Sequence, residues 1–417
     1  MKILLYTLNF FPELTGIGKY SGEMAEWLAN CGHEIRVVSS PPYYPEWHIH
    51  NKYSRYFYSK QRLSSNLQIW RCPLWVPRAP TGLKRILHLA SFALSSFPVI
   101  IRQAFWCPDV IFLVEPTIFC APSALTVSFF SRSKSWLHIQ DFEIDAAFNL
   151  GIFKSKCLRS IIINLERLLL NKFSVISTIS NKMILRLSEK GIDGTSIVLF
   201  RNWVNLSKIK PNANLNYFRE SLNINKDTVV ALYSGNMGEK QGLEIVIEAA
   251  RRFEKNRKII FVMCGDGVAK STLMSQGAGL KNILWLSLQP TEKLNELLNL
   301  ADIHLLPQRA DVADLVMPSK LTGMLASGRP VIATALYGTE VASVVEKRGV
   351  VVPPGDVDAF SEAIYDLAIH PGKRLELGMA AREFASMFLD INSVMAGFEK
   401  KLHELIVTDG EKSHSFK

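Results

Sequence analysis

Short apolar runs recur along the chain at the spacing of strands that alternate with helices. In the first half, buried-strand patterns fall at Lys2–Leu8, Glu34–Ser39, Val110–Val114, Trp136–Ile139, Val175–Ser177 and Ile197–Phe200. Helical periodicity occupies Lys19–Cys31, Leu158–Asn171 and Asn181–Lys190. The second half repeats the grammar. Its strands are expected at Val229–Ser234, Lys258–Met263, Ile283–Leu286, Ile303–Leu306, Val331–Ala333 and Val350–Val352, and its helices at Leu243–Phe253, Glu292–Leu300, Ser319–Ala326, Asp356–Ala368 and Lys373–Ala385. Apolar strands alternating with helices read as parallel sheets covered on both faces. The polar, Asn-rich stretch Asn202–Asn216 reads as a linker. The expected fold is therefore α/β, with two doubly wound Rossmann-like domains facing one another over residues 1–205 and 206–390. Ligands should bind at the carboxyl ends of both sheets. A last amphipathic helix, about 391–406, has no strand after it and is free to pack back onto the first domain.

Residues 43–78 fit neither pattern. They carry Tyr43, Tyr44, Trp47, Tyr53, Tyr56, Phe57, Tyr58, Trp70 and Trp75 among basic residues. Long irregular insertions at sheet ends are commonly functional, and these rings suit stacking on a sugar or a base, or anchoring the loop.

Charge sharpens this. The net charge of +10 resides wholly in the first half, where 23 Lys and Arg face 13 Asp and Glu; residues 206–417 hold 25 of each. No acid occurs between Trp47 and Pro108, whereas nine Lys and Arg do. A surplus so localised reads as a surface for an anionic partner. Within it, "GLKRILHLASFALSSFPVIIRQAFW" has an apolar middle, Lys84, Arg85 and Arg102 as basic flanks, and Phe97, Phe105 and Trp106 suited to an interface. Its sixteen-residue apolar run, Ile86–Ile101, is short for a bilayer, so the expectation is docking on an anionic membrane without spanning it. "MKILLYTL" lacks the features of a signal peptide. The six cysteines form no C-x-x-C pair or Cys/His cluster, which argues against a zinc site and fits a reduced cytosolic protein.

Candidate chemistry follows the strand ends. "PELTGIGKYSGEMAEWLA" places Gly16 and Gly18 before the first helix, where backbone can approach a ligand. They start too far past the strand, and the next strand ends in Ser39–Ser40 instead of an acid, so a dinucleotide fingerprint is not read. "YSGNMGEKQGLE" offers Gly235, Gly238 and Gly242, with Asn236, Lys240 and Gln241 as donors. "VMCGDG" ends a strand in Gly265, Asp266 and Gly267. "MPSKLTGMLASGRPV" puts Pro318 at a helix start with Ser319 and Lys320 in the first turn, a ready diphosphate clamp. Three such loops on one sheet point to a phosphate-bearing nucleotide. In the first domain, Glu115 ends a strand and "WLHIQDFEIDAAF" supplies His138, Gln140, Asp141, Glu143 and Asp145. Acids there are candidate sugar-hydroxyl ligands or bases, while His138 reads as a structural histidine. With no D-x-D at the end of an early strand, no metal is expected.

These motifs, with "GHEIRVVSSP", "PPYYPEW", "GNMGEKQGLE" and "HLLPQRADVADLVMPSKLTGMLASGRPV", resemble the WcaI-type glycosyltransferases of colanic acid and related exopolysaccharide synthesis, family 4, of GT-B fold. The resemblance spans nearly the whole chain. It implies a hexosyltransferase acting with anomeric retention, in an interdomain cleft, without a cofactor. The second domain would bind the nucleotide sugar, possible donors including GDP-fucose. The first would bind a lipid-linked saccharide acceptor at the inner face of the cytoplasmic membrane. The implied donor-binding residues are Gly16, Gly18, Gly235, Asn236, Lys240, Gln241, Gly265, Asp266, Gly267, Ser319 and Lys320. The acceptor-binding ones are Glu115, Gln140 and Asp141, with Asp141 and Lys320 catalytic. The chain departs from the broader family at several positions. Asn236 and Gln241 stand where Arg and Lys are usual, Gln140 replaces a His, and Leu315 and Gly323 occupy the slots of two glutamates, leaving Asp314 as the nearest acid. A nucleotide-sugar epimerase would share the architecture but leaves the basic half unused. A nucleic-acid binder would use the basic aromatic loop but leaves the three glycine loops without a role, so no nucleic-acid partner is expected.

Overall fold

The computed structural model describes residues 1–14, 16–78, 82–116, 118–149, 155–212, 217–310 and 317–414. The side chains at 146, 147, 149, 240 and 408–414 lie outside this description, as do Asp314 and Leu315. The chain divides into two compact units, Met1–Arg201 with Met395–Lys417, and Asn202–Val394.

The first unit is built on eight strands: β1 (Lys2–Thr7), β2 (Glu34–Ser39), β3 (Ser59–Arg62), β4 (Leu67–Arg71), β5 (Val110–Glu115), β6 (Lys134–Ile139), β7 (Val175–Thr178) and β8 (Ile197–Leu199). Their order in the sheet is β3-β4-β2-β1-β5-β6-β7-β8, parallel except for β3. The hairpin β3–β4 corrects the sequence reading of residues 43–78 as irregular. Leu67, Ile69 and Arg71 are buried, and β4 lies parallel beside β2 with Ile35 opposite Leu67. The buried positions alternate, but the third of them is Arg71 and Trp70 lies on the other face, so the apolar and polar residues themselves do not alternate in the sequence.

Residues Met395 onward of the helix Ile391–His414 belong to this unit. Phe398 stacks on Phe200 at 4.4 Å and meets Phe112 and Trp136 edge-on at 5.2 and 5.1 Å. Such aromatic contacts fix a helix more firmly than its own propensity would.

The second unit carries β9 (Val229–Ser234), β10 (Ile259–Cys264), β11 (Ile283–Leu286), β12 (Ile303–Leu306), β13 (Val331–Thr334) and β14 (Gly349–Val352). The order β11-β10-β9-β12-β13-β14 is that of a doubly wound dinucleotide-binding sheet, all parallel, with its direction reversing between β9 and β12. The described part of the stretch read as a linker, residues 202–212, is not free. Val204 N–H donates to the Leu389 carbonyl at 2.8 Å, and Ile209 is buried in the core of this unit. The backbone amides of Lys210 and Asn212 donate to the side chains of Asn295 and Asn299. Asn205 Oδ1 also accepts from the backbone amides of Ser207 and Lys208, so residues 202–212 are held by packing and hydrogen bonds.

The helix Leu83–Arg102 is longer than the apolar run Ile86–Ile101 read from the sequence. With the turn that follows, it runs 24 residues from Leu83 to Trp106 and is long and apolar enough to cross a membrane by length and composition, with a third of its apolar window buried. Leu83, Leu87, Leu94 and Phe97 recur at helical spacing and are all more than half exposed.

Candidate nucleotide-sugar site

In the second unit the three glycine loops gather at the carboxyl ends of β9, β10 and β12, the switch point of the sheet. Two of them are locked together by backbone. Gly235 N–H donates to the Cys264 carbonyl at 3.0 Å, Met237 N–H to the Asp266 carbonyl at 2.7 Å, and Ala269 N–H to the Met237 carbonyl at 2.9 Å. A Cβ on Gly265 would lie 1.9 Å from the Gly235 carbonyl oxygen, and one on Gly267 2.5 Å from that of Met237. Here glycine is required for loop-on-loop packing, not only for the approach of a ligand. Gln241 is engaged internally, its Oε1 accepting from Gly238 N–H at 3.1 Å. Asp266 is exposed and caps Gly267 N–H at 2.8 Å. Asn236 is exposed, and its carbonyl accepts from the Tyr233 hydroxyl at 2.5 Å.

Pro318, with φ −60° and ψ 127°, opens the helix Ser319–Ala326, whose first turn has no side-chain cap. Its first amides at Ser319 and Lys320 therefore stand ready for an anion. Lys320 folds back over the site. Its ammonium sits 4.2 Å from the Tyr233 ring centre, and its Cδ would lie 3.4 Å from a Cβ placed on Gly235. Among the described residues no carboxylate pairs with it. Burial without a counter-ion drives its pKa down to about 7. A diphosphate bound there would restore the charge, so binding should take up protons. We expect about half a proton per nucleotide at pH 7 and close to one at pH 8, with affinity falling as pH rises above 7. Titration calorimetry in buffers of different ionisation enthalpy reads this directly; equal heats in both buffers would remove Lys320 from the anion site. Sequence reasoning passed over Gln308, just past β12, whose buried Oε1 has no partner among the described residues while its backbone N–H donates to Thr334 Oγ1 at 2.7 Å.

In the first unit, Glu115 ends β5 opposite Ile139 of β6, and Gln140 and Asp141 follow directly, so the fold brings these three together. Glu115 is buried, and its Oε1 has no partner among the described residues. Burial and the neighbouring acids Glu166, Glu143 and Asp141 raise its pKa well above the carboxylate range. Asp145 is held by Arg186 and Lys190, both at 2.9 Å, and Lys190 also grips Glu166 at 2.7 Å. This network supports the site from behind. His138 is structural, as read: buried, bonded to Ser177 Oγ at 2.9 Å, with burial lowering its pKa to about 3.

Gly16 adopts φ +57° at the start of the helix Gly16–Asn30, and a Cβ there would lie 3.9 Å from the Tyr44 ring, in ordinary van der Waals contact. Gly18 is different. A Cβ there would lie 2.5 Å from Glu13 Oε2, so Gly18 is covered by that side chain instead of lining an open surface. Glu13, which the sequence reading did not single out, is buried. It accepts from Asn9 and from the backbone N–H groups of Tyr43 and Tyr44, tying the glycine loop to the aromatic loop. Arg71 below it donates to the carbonyls of Phe11 and Ser40.

The fold also gathers His33, Glu399 and His403, whose ligand atoms lie within 4.8 Å of one another. Both ring nitrogens of His33 are in use, Nδ1 by the amino terminus at 3.2 Å and Nε2 by Glu399 at 2.7 Å, so the group reads as a clasp for the last helix.

Comparison with known proteins places this arrangement. Residues 15–203 match the glycosyl transferase 4-like domain, and residues 216–384 match glycosyl transferases group 1. The structure resembles sucrose-phosphate synthase of Thermosynechococcus elongatus, with TM-score 0.73 and 16% identity over 98% of this chain and all of that one. It also resembles HepE of Anabaena, solved with UDP, with TM-score 0.71 and 13% identity over 97% and 100%. These likenesses show the GT-B fold. The chain belongs to the glycosyltransferases of family 4, of the WcaI type. It is 41% identical over 408 residues to the glycosyl transferase WcaI of Escherichia coli (strain K12), whose name assigns it to colanic acid biosynthesis, covering 95% of this chain and 98% of that one.

Proposed function

We propose that this enzyme moves a sugar from a nucleoside-diphosphate sugar, with GDP-fucose the first donor to test, to a lipid-linked saccharide in the synthesis of a colanic acid-like exopolysaccharide. The observation that carries the reading is Lys320, an ammonium with no carboxylate partner among the described residues, set beside an uncapped helix start. As the sugar C1–O bond breaks, the departing diphosphate gains negative charge, which Lys320 and the amides of Ser319 and Lys320 stabilise by preorganised electrostatics, without metal. The sugar forms its new bond to an acceptor hydroxyl, whose proton Asp141 receives or passes on. Glu115, kept in its protonated form, donates to another acceptor oxygen. Retention of anomeric configuration belongs to the proposal.

The test is thermal shift and product analysis against GDP-fucose, GDP-mannose, UDP-glucose and UDP-galactose. A true donor at 100 times its Kd adds about 2.7 kcal/mol of stability, and transfer must need an added saccharide acceptor. Turnover of the donor without any acceptor into an epimer would overturn the reading.

Attachment at the inner membrane face, from an otherwise cytoplasmic location, is part of the same proposal, with its determinants revised. Arg85 is committed to Glu143 at 2.7 Å, so it is not free for lipid. The turn Gln103–Trp106 and the last turn of the helix Ala121–Ser131 lead into the amino ends of β5 and β6, where Lys134 N–H meets the Asp109 carbonyl at 3.0 Å. There Phe105, Phe129 and Phe130 are 88, 80 and 72% exposed, next to exposed Arg102 and Arg132. Aromatic side chains among cations suit an anionic interface. Replacing the three phenylalanines by Ser should weaken binding to phosphatidylglycerol vesicles roughly 100-fold, with turnover on soluble acceptors retained. Unchanged vesicle binding would exclude this face.

A further inference from the structure

The first unit contains a pocket of about 810 Å³ whose walls include Trp47, Tyr53, Trp75, Arg55, Arg78 and Lys84, with no Asp or Glu among the lining residues. Its size is that of a site for a small oligosaccharide or a sugar diphosphate. Three other cations of this unit are neutralised, Arg85 by Glu143, Arg186 by Asp145, and Lys190 by Asp145 and Glu166. Arg55, Arg78 and Lys84 form no ion pair among the described residues, and Arg55 only rests on the Tyr56 ring at 5.2 Å. Three unneutralised cations around one cavity call for a polyanion.

The aromatic walls are braced from behind. Trp47 packs on the His88 ring at 5.2 Å, and His88 packs on Tyr43 at 4.8 Å. His88 Nδ1 bonds the Trp75 carbonyl at 2.7 Å, while Trp75 N–H donates to Ser91 Oγ at 3.2 Å. Tyr53 lies under the Arg71 guanidinium at 5.6 Å. Rings held this firmly present fixed faces, which suits stacking on a sugar at little entropic cost. Because Tyr43 and Tyr44 also bind Glu13, the pocket is coupled mechanically to the loop that carries Gly16.

We propose that this pocket binds the glycosyl-diphosphate portion of the acceptor, with Arg55, Arg78 and Lys84 on the diphosphate and Trp47 and Trp75 on the sugar linked to it. The inference rests on the lipid-linked acceptor reading and gives that acceptor a place. Lys84, counted in the sequence as a membrane flank, is assigned here to a ligand.

The experiment measures binding of a ten-carbon prenyl-diphosphate-linked hexose to the full chain, alongside GDP and UDP, for the parent, Arg78→Gln, Lys84→Gln and Trp75→Leu. Each variant should bind the probe roughly tenfold more weakly, and the Arg78→Gln/Lys84→Gln pair roughly 100-fold. Nucleotide binding and the melting temperature should stay as in the parent, because all three side chains are exposed. Parent-like probe binding by every variant would overturn the pocket while leaving the acceptor class standing. A parent that ignores the probe yet glycosylates an acceptor without diphosphate would overturn both. Variants that lose only phosphatidylglycerol vesicle binding would assign the cations to lipid headgroups and overturn the proposal.

Discussion

Lys320→Ala should lower turnover by roughly 10² to 10³, the loss expected when one preorganised donor to a developing charge is removed. The reason lies in the surroundings of Lys320. It packs over Tyr233 and Gly235 with no carboxylate partner among the described residues, and its pKa has fallen to about 7. A lysine whose folded-state pKa lies below its unfolded value of about 10.4 costs stability, increasingly so as pH falls from there towards 7. Removing it should therefore leave the melting temperature at pH 7 equal to or above that of the parent. Loss of turnover with retained or raised stability separates an anion-binding lysine from a structural one. Lys320→Met, which keeps the apolar stem, should behave alike and abolish proton uptake on nucleotide binding. Turnover within threefold of the parent would refute the assignment.

Gly265→Ala should unfold the nucleotide loops. Its φ of +148° disfavours any side chain, and the new methyl would stand 1.9 Å from the Gly235 carbonyl oxygen, a backbone atom that cannot swing aside. Overpacking and strain together should cost about 3 kcal/mol or more. In a unit of this size that is a fall in melting temperature of about 6–12 °C, with nucleotide binding lost. Gly372→Ala is the control. Nothing stands within 4 Å of its Cβ direction, and it sits in the first turn of the helix Pro371–Phe388. Its melting temperature should match or slightly exceed the parent's. Equal effects at both positions would mean that the two loops are not locked as described.

What the chain shows directly is set by short-range rules. The strands Val229–Ser234, Ile283–Leu286 and Ile303–Leu306 and the helix Ser319–Ala326 have the bounds read from apolar runs and from a proline at a helix start. Both are local signals, readable without knowing any neighbour. The glycine loops were legible as loops for the same reason, and their motifs already resembled the family to which the chain belongs.

Only the tertiary structure decided what those residues do to one another. Gly265 and Gly267 read as ligand-approach glycines, but each is also demanded by the backbone of another loop. Gln241 read as a ligand donor, yet it closes its own turn. Glu13 and Arg71 gave no signal and Arg85 read only as a basic flank, because their partners lie 30, 60 and 58 residues away and the Coulomb and hydrogen-bond terms depend on distance in space, not along the chain. The same reason hid β3 and β4, which exist because β2 offers an edge. The sequence by itself determined the two doubly wound sheets and the loops at their ends. Which of the loop residues are spent on holding the loops together, and which side chains are left without partners to meet a ligand, was decided by packing alone.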